Sequence, residues 1–244
     1  MTTDDTGHRT DRSTIPDAEP LAATTDLGTA LRELIEVSVT TTVPAAELRA
    51  AAELVRQVTE RLAVARRPVS QLPTLDDVTT NRRVFNPVTG VGSALAPPLV
   101  VRRDADGQGV VGDATLGVAY EGPPGFVHGG MSALLMDQML GSAAAAAGVW
   151  GMTAHLELDY RGPVPLETKI VLRGQVAENS GRKSVITGTI ALAEDPDRIL
   201  VEARGVFVLP RADKIEAYFG SITDSTGRHT PPSRPSDATE LEQS

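Results

Sequence analysis

His128-Gly129-Gly130 followed by Asp137 is a set of residue types whose spacing could do chemistry on a carbonyl. The stretch Gly122-Pro123-Pro124-Gly125-Phe126-Val127 leads into an apolar helix expected to begin near Gly129. The first N–H groups of a helix lack internal partners, and the dipole adds partial positive charge there. Gly129 and Gly130 carry no side chain to keep a ligand oxygen from those amides. The turn therefore suits an oxyanion; the alternative is a glycine pair that only lets the helix pack closely under a sheet. Asp137 sits among Met131, Leu134, Leu135, Met136, Met139, Leu140 and the run Ala143 to Ala147, and a helix apolar nearly all round is a buried one. A buried carboxylate costs several kcal/mol unless it is paired or hydrogen-bonded. Asp137 is read either as a general base or as a structural Asp bonded to a hydroxyl or amide. His128 and Asp137 are nine positions apart, roughly 13 Å along a helix at about 1.5 Å per residue. One helix cannot aim both at one carbonyl. If they cooperate, the carboxylate comes from a second copy of the helix, which implies a two-fold dimer with two equivalent sites at its seam.

The elements that must position these groups read as follows. Leu99 to Arg103 and Val110 to Leu116 are strand-like and joined by a hairpin turn at Asp106-Gly107. After the helix come four extended segments, Met152 to Arg161, Lys169 to Ala177, Lys183 to Ala193 and Ile199 to Leu209, separated by turns at Gly162-Pro163, Gly181 and Asp195-Pro196-Asp197. Two strands, a helix and four strands predict an α+β arrangement, one long helix against an antiparallel sheet. Upstream, apolar stripes over 26–67 predict two helices, the second opened by Pro44. Residues 1–25 lack apolar periodicity and are expected to be a disordered tail, as is most of 211–244. Residues 68–96 are Pro- and Gly-rich and predict an irregular connection over the surface. Residues 97–210 carry the sheet and helix.

Composition narrows the function. A net charge of −9 and 3% aromatic residues argue against nucleic acid as a partner, since phosphate faces and base-stacking platforms need clustered Lys/Arg and exposed rings. The chain has no cysteine, which excludes a cysteine nucleophile and thiolate metal sites and fits a reducing compartment. No signal-peptide-like stretch or membrane span is evident, so a cytoplasmic location is expected. His155 lies on a different element from His128 and Asp137 with no i, i+4 spacing, so no metal is expected, and no cofactor is implied.

His128-Gly129-Gly130 with Asp137, Met152 through Pro165, and Gly181-Arg182-Lys183 together resemble the hotdog-fold acyl-CoA thioesterases of the PaaI-like group, in the branch whose site combines His-Gly, Asp and Thr. The resemblance covers about residues 97–210 and leaves the N-terminal helices outside. It implies a long helix wrapped by a curved antiparallel sheet, a homodimer or homotetramer, and acyl-CoA as substrate, with medium to long chains favoured. It implies that Gly129 supplies the oxyanion N–H with His128 beside it, and that Asp137 of the other subunit activates water or attacks the carbonyl itself. Thr153 would hold that water or the carboxylate. Alternation places Thr153 with His155, Glu157 and Asp159 on the polar face of a strand, where β-propensity alone would account for it. On the same resemblance Gly130, Tyr160, Arg161, Arg182 and Lys183 would contact substrate, the last two at the phosphates of coenzyme A; a solvated turn is the alternative. One related branch has an Asn before the His-Gly-Gly run, where this chain has Gly122 to Gly125. A non-catalytic acyl-CoA sensor and, more weakly, a hotdog hydratase or dehydratase are the competing readings.

Overall fold

The computed structural model describes residues 18–77, 82–224 and 226–229. Its centre is α3, Gly129–Ala146, lying on a six-stranded sheet in the order β1-β2-β4-β5-β6-β3, every neighbouring pair antiparallel. The strands are β1 Val100–Arg103, β2 Gly109–Thr115, β3 Met152–Tyr160, β4 Lys169–Ser180, β5 Lys183–Leu192 and β6 Asp195–Val208. This is the expected α+β fold, with β1 and β3 at the two edges.

The helix lies close to the sheet because the strands beneath it carry little bulk. A Cβ at Gly188 would come within 2.6 Å of Met136 and 2.9 Å of Leu140, and one at Gly205 within 2.9 Å of Leu140. Leu135, Met136, Met139, Leu140 and Ala143 form the buried face, packed with Ile170, Leu172, Ile186, Ile190, Val201 and Phe207. Burying such side chains stabilises by about 1.5–3 kcal/mol each.

The upstream segment departs from expectation. Val84, Val88, Ala96 and Leu99 are buried, and Val88 and Leu99 join the α3 core. The Pro-rich connection thus supplies core residues, which is why α3 is apolar on more than the face it turns to the sheet. α1 runs Ala18–Thr40, so residues 18–25 are helical where a tail was expected; residues 1–17 lie outside the described part. The helix is anchored by tertiary contacts that periodicity does not reveal. Gly28 packs so closely on the Val91–Gly92 backbone that a Cβ there would stand 2.4 Å from the Val91 carbonyl oxygen. Arg32 donates to the Val91 and Ser93 carbonyls at 2.9 Å each, and Glu36 accepts from the Val118 and Ala119 amides at 2.8 and 3.2 Å. α2, Ala45–Ala63, buries no residue, and its Leu48, Val55, Val58 and Leu62 are exposed. In the segment from 211 onward, α4 forms over Ala212–Phe219, and Thr223 bridges to Gln71 and His229; residues 225 and 230–244 fall outside the described part. No helix among the described residues is long and apolar enough to cross a membrane.

Candidate active site

The entry to α3 is built by the loop before it. Gly125, at φ 81°, turns the chain back so that Phe126 N–H donates to Pro123 O and Gly122 N–H to Phe126 O, both at 2.9 Å. His128 N–H then donates to Tyr120 O at 2.9 Å. His128 is the N-cap: extended at φ −60°, ψ 131°, its imidazole Nδ1 accepts from Gly130 N–H at 3.0 Å. With Nδ1 accepting, the neutral ring carries its proton on Nε2. The cap corrects one expectation, because the Gly130 amide is already spent on His128. Met131 and Ser132 donate to His128 O. Among the described residues the Gly129 N–H has no partner. The end of the helix therefore offers one unsatisfied amide, flanked by an imidazole and reinforced by the dipole.

β3 holds both chemical groups in place. At one end Tyr160 donates its hydroxyl to Gly129 O at 2.8 Å, bracing the helix start, where the resemblance implied a contact with substrate. At the other end Thr153 donates to Asp137 Oδ1 at 2.8 Å. Asp137 is half-buried, not deep in the core as its apolar neighbours suggested, because it projects from the flank of α3 toward the edge strand. Its Oδ2 has no partner among the described residues.

The Thr153 contact depends on a bulge that simple alternation misses. β3 and β6 pair Thr153 with Phe207 and His155 with Val206, leaving Ala154 as one extra residue. Cross-strand partners share a face. Thr153 therefore lies on the side of buried Phe207, with Leu156, Leu158 and Tyr160, whereas His155, Glu157 and Asp159 face outward. An extra residue of this kind re-aims a side chain; here it turns Thr153 off the polar face onto Asp137.

The remaining expected residues separate. Arg161 lies on Glu202 at 2.8 Å and Asp159 at 3.3 Å, and the Glu202 contact raises its pKa further, so it is paired along the outer edge. Arg182 and Lys183 form the β4–β5 turn with Gly181 at φ 65°, and Arg182 Nε donates to Leu209 O at 3.1 Å. Lys183 pairs with Val208, which pairs with Met152. Lys183 is thus two strands, about 9.6 Å, from the Thr153 end of β3. That end of the sheet brings Asp137, Thr153, Arg182 and Lys183 together, while Gly129, His128 and Tyr160 gather at the other. Along α3 the eight residues from Gly129 to Asp137 span about 12 Å. No metal-ligand cluster occurs among the described residues.

The thioesterase superfamily model matches residues 124–199, the span that contains Gly129, Asp137 and Thr153. A solved crystal structure of a thioesterase superfamily protein is 36% identical, covers 76% of this chain and 94% of its own, and superposes with a TM-score of 0.68. The chain belongs to the thioesterase superfamily. Acyl-coenzyme A thioesterase THEM4 of Mus musculus is 37% identical over 92 residues, and that of Rattus norvegicus 36% over 98 residues. Those matches take in 38% and 40% of this chain and 39% and 42% of the two relatives, so the chain spans well under half the length of either.

Proposed function

We propose that the chain hydrolyses acyl-CoA thioesters, of medium to long acyl length, at the seam of a homodimer. One observation carries the reading: the unpartnered Gly129 amide and the Thr153-held Asp137 both border β3, yet stand too far apart in one chain to meet. Among the described residues β3 pairs only with β6, so its outer edge is open there, a template for another strand. An antiparallel copy centred on Leu156, with Ala154 again left out of the ladder, would set Thr153 against Leu158 of the partner subunit, on the same face as Tyr160 of the partner subunit. Since Thr153 carries Asp137 and Tyr160 carries Gly129, that pairing turns each acid toward the opposite helix start.

In this arrangement the thioester carbonyl oxygen accepts from Gly129 N–H, with His128 Nε2–H close by. The partner's Asp137 takes a proton from water as its oxygen attacks the carbonyl carbon, and the tetrahedral oxyanion gathers charge at the helix end. Collapse breaks the C–S bond and releases CoA thiolate and acid. A thiolate leaves readily, so no second acid is required. Direct attack by the carboxylate would give a mixed anhydride that water then opens. Relatives named as acyl-CoA thioesterases support the substrate class. The test is a ladder of acyl-CoAs from acetyl to palmitoyl, with free thiol as the readout; thiol release undiminished in Asp137→Ala, or from a strictly monomeric species, refutes it.

A further inference from the structure

An apolar cleft lies beside the helix start, and it is walled by the N-terminal helix outside the family-matched segment. Its volume is about 770 Å³, and Ile35 of α1, Leu95, Ala96 and Pro97 of the connection, and Met131 and Leu134 of α3 line it. We infer that this cleft receives the hydrocarbon tail of the acyl group, so that α1 and the 94–98 segment set chain-length preference; the inference rests on the thioesterase reading above.

Position supports it. Met131 and Leu134 follow Gly129 by two and five residues, about 3 and 7.5 Å along the axis. A carbonyl held at the Gly129 amide therefore has the cleft within a few methylenes. Tyr120 joins the two places: its carbonyl accepts from His128 N–H, its hydroxyl donates to Leu95 O at 3.1 Å, and it lines the cleft. Chemistry supports it as well. Of the charged groups that α1 contributes to the wall, Arg32 is committed to the Val91 and Ser93 carbonyls and Glu36 to the Val118 and Ala119 amides, and Glu33 also borders the cleft. The surface left over is mainly apolar and suits a hydrocarbon with no polar groups to satisfy. The volume falls within the 300–1,000 Å³ of ordinary ligand pockets.

The absence of cysteine makes a direct test available. In Ile35→Cys the new thiol is the only one in the chain, and its alkylation by a maleimide is expected to slow in the presence of dodecanoate but not of butyrate. In Ile35→Trp the ratio of kcat/KM for dodecanoyl-CoA to that for butyryl-CoA is expected to fall at least tenfold, the loss from about two methylenes turned out of the cleft. Should tryptophan unfold the chain, the alkylation decides. Hydrolysis by the unaltered chain with no protection at position 35 and an unchanged ratio overturns the cleft assignment and leaves the thioesterase reading standing. Protection by dodecanoate with no hydrolysis of any acyl-CoA does the reverse.

Discussion

Gly129 can be tested by removing one hydrogen-bond donor and little else. It is the first helical residue, where proline is tolerated because the missing N–H has no intrahelical role. His128 before it already has the extended geometry that a residue preceding proline adopts. A Cβ at 129 would meet the Tyr160 ring and hydroxyl at 3.4–3.5 Å, ordinary contact. Gly129→Pro should therefore fold with an unchanged melting temperature. Losing one well-placed oxyanion donor costs about 2.7–4 kcal/mol, a kcat lower by about 10²- to 10³-fold. Free CoA released from dodecanoyl-CoA can be followed with a chromogenic thiol reagent, to which the cysteine-free chain contributes nothing. Mixing then tests the seam. A dimer of one Gly129→Pro and one Asp137→Ala chain has one intact site and one doubly damaged site. With random exchange half the dimers are mixed, so equal amounts should recover about a quarter of the unaltered activity. A Gly129→Pro protein with full kcat refutes the oxyanion assignment, and a mixture no more active than its two parents refutes the division of the site between chains.

Thr153→Val removes the 2.8 Å donor to Asp137 at nearly constant volume; hydrogen bonds to charged groups are worth about 1.5–3 kcal/mol, so kcat should drop about tenfold to a hundredfold with little change in urea midpoint. Leu140→Ala should cost about 2–5 kcal/mol in urea unfolding, because Leu140 is fully buried over Gly188 and Gly205. Burial pushes the Tyr120 hydroxyl above the ordinary tyrosine range, with Arg32 opposing and Glu36 adding. Its neutral form is thus favoured by folding, and that stability is present below the ordinary pKa and lost as pH rises through the raised one. Tyr120→Phe should accordingly flatten the fall in melting temperature above about pH 10.

The sheet, its strand order along the chain and the central helix could be read from alternation, turn residues and the apolar run after Gly129, because local pattern dictates them. What escaped the reading depends on contacts distant in sequence. Nothing near Ala18 announces that Gly28 and Arg32 will dock on residues 91–93, so α1 was expected to start later. Asp137 was placed too deep because an apolar run does not say which flank meets an edge strand. Gly130 looked like a second open donor because the capping of its amide depends on the rotamer of His128. Thr153 was assigned to the outward face because alternation counts every residue, and Ala154 breaks the count.

That extra alanine has a consequence for how such a site can vary. The chemistry is tied to register: what matters at the opening of β3 is which residue pairs with Phe207, more than the identity of the residue left out. Ala154 could become serine or glycine at little cost, and its deletion would leave a regular ladder in which Thr153 still pairs with Phe207, whereas closing the bulge with Ala154 retained would pair Ala154 with Phe207, swing the threonine hydroxyl outward and leave the acid without its donor. A shift of register at those few positions is expected to weaken the proposed hydrolysis while sparing the fold.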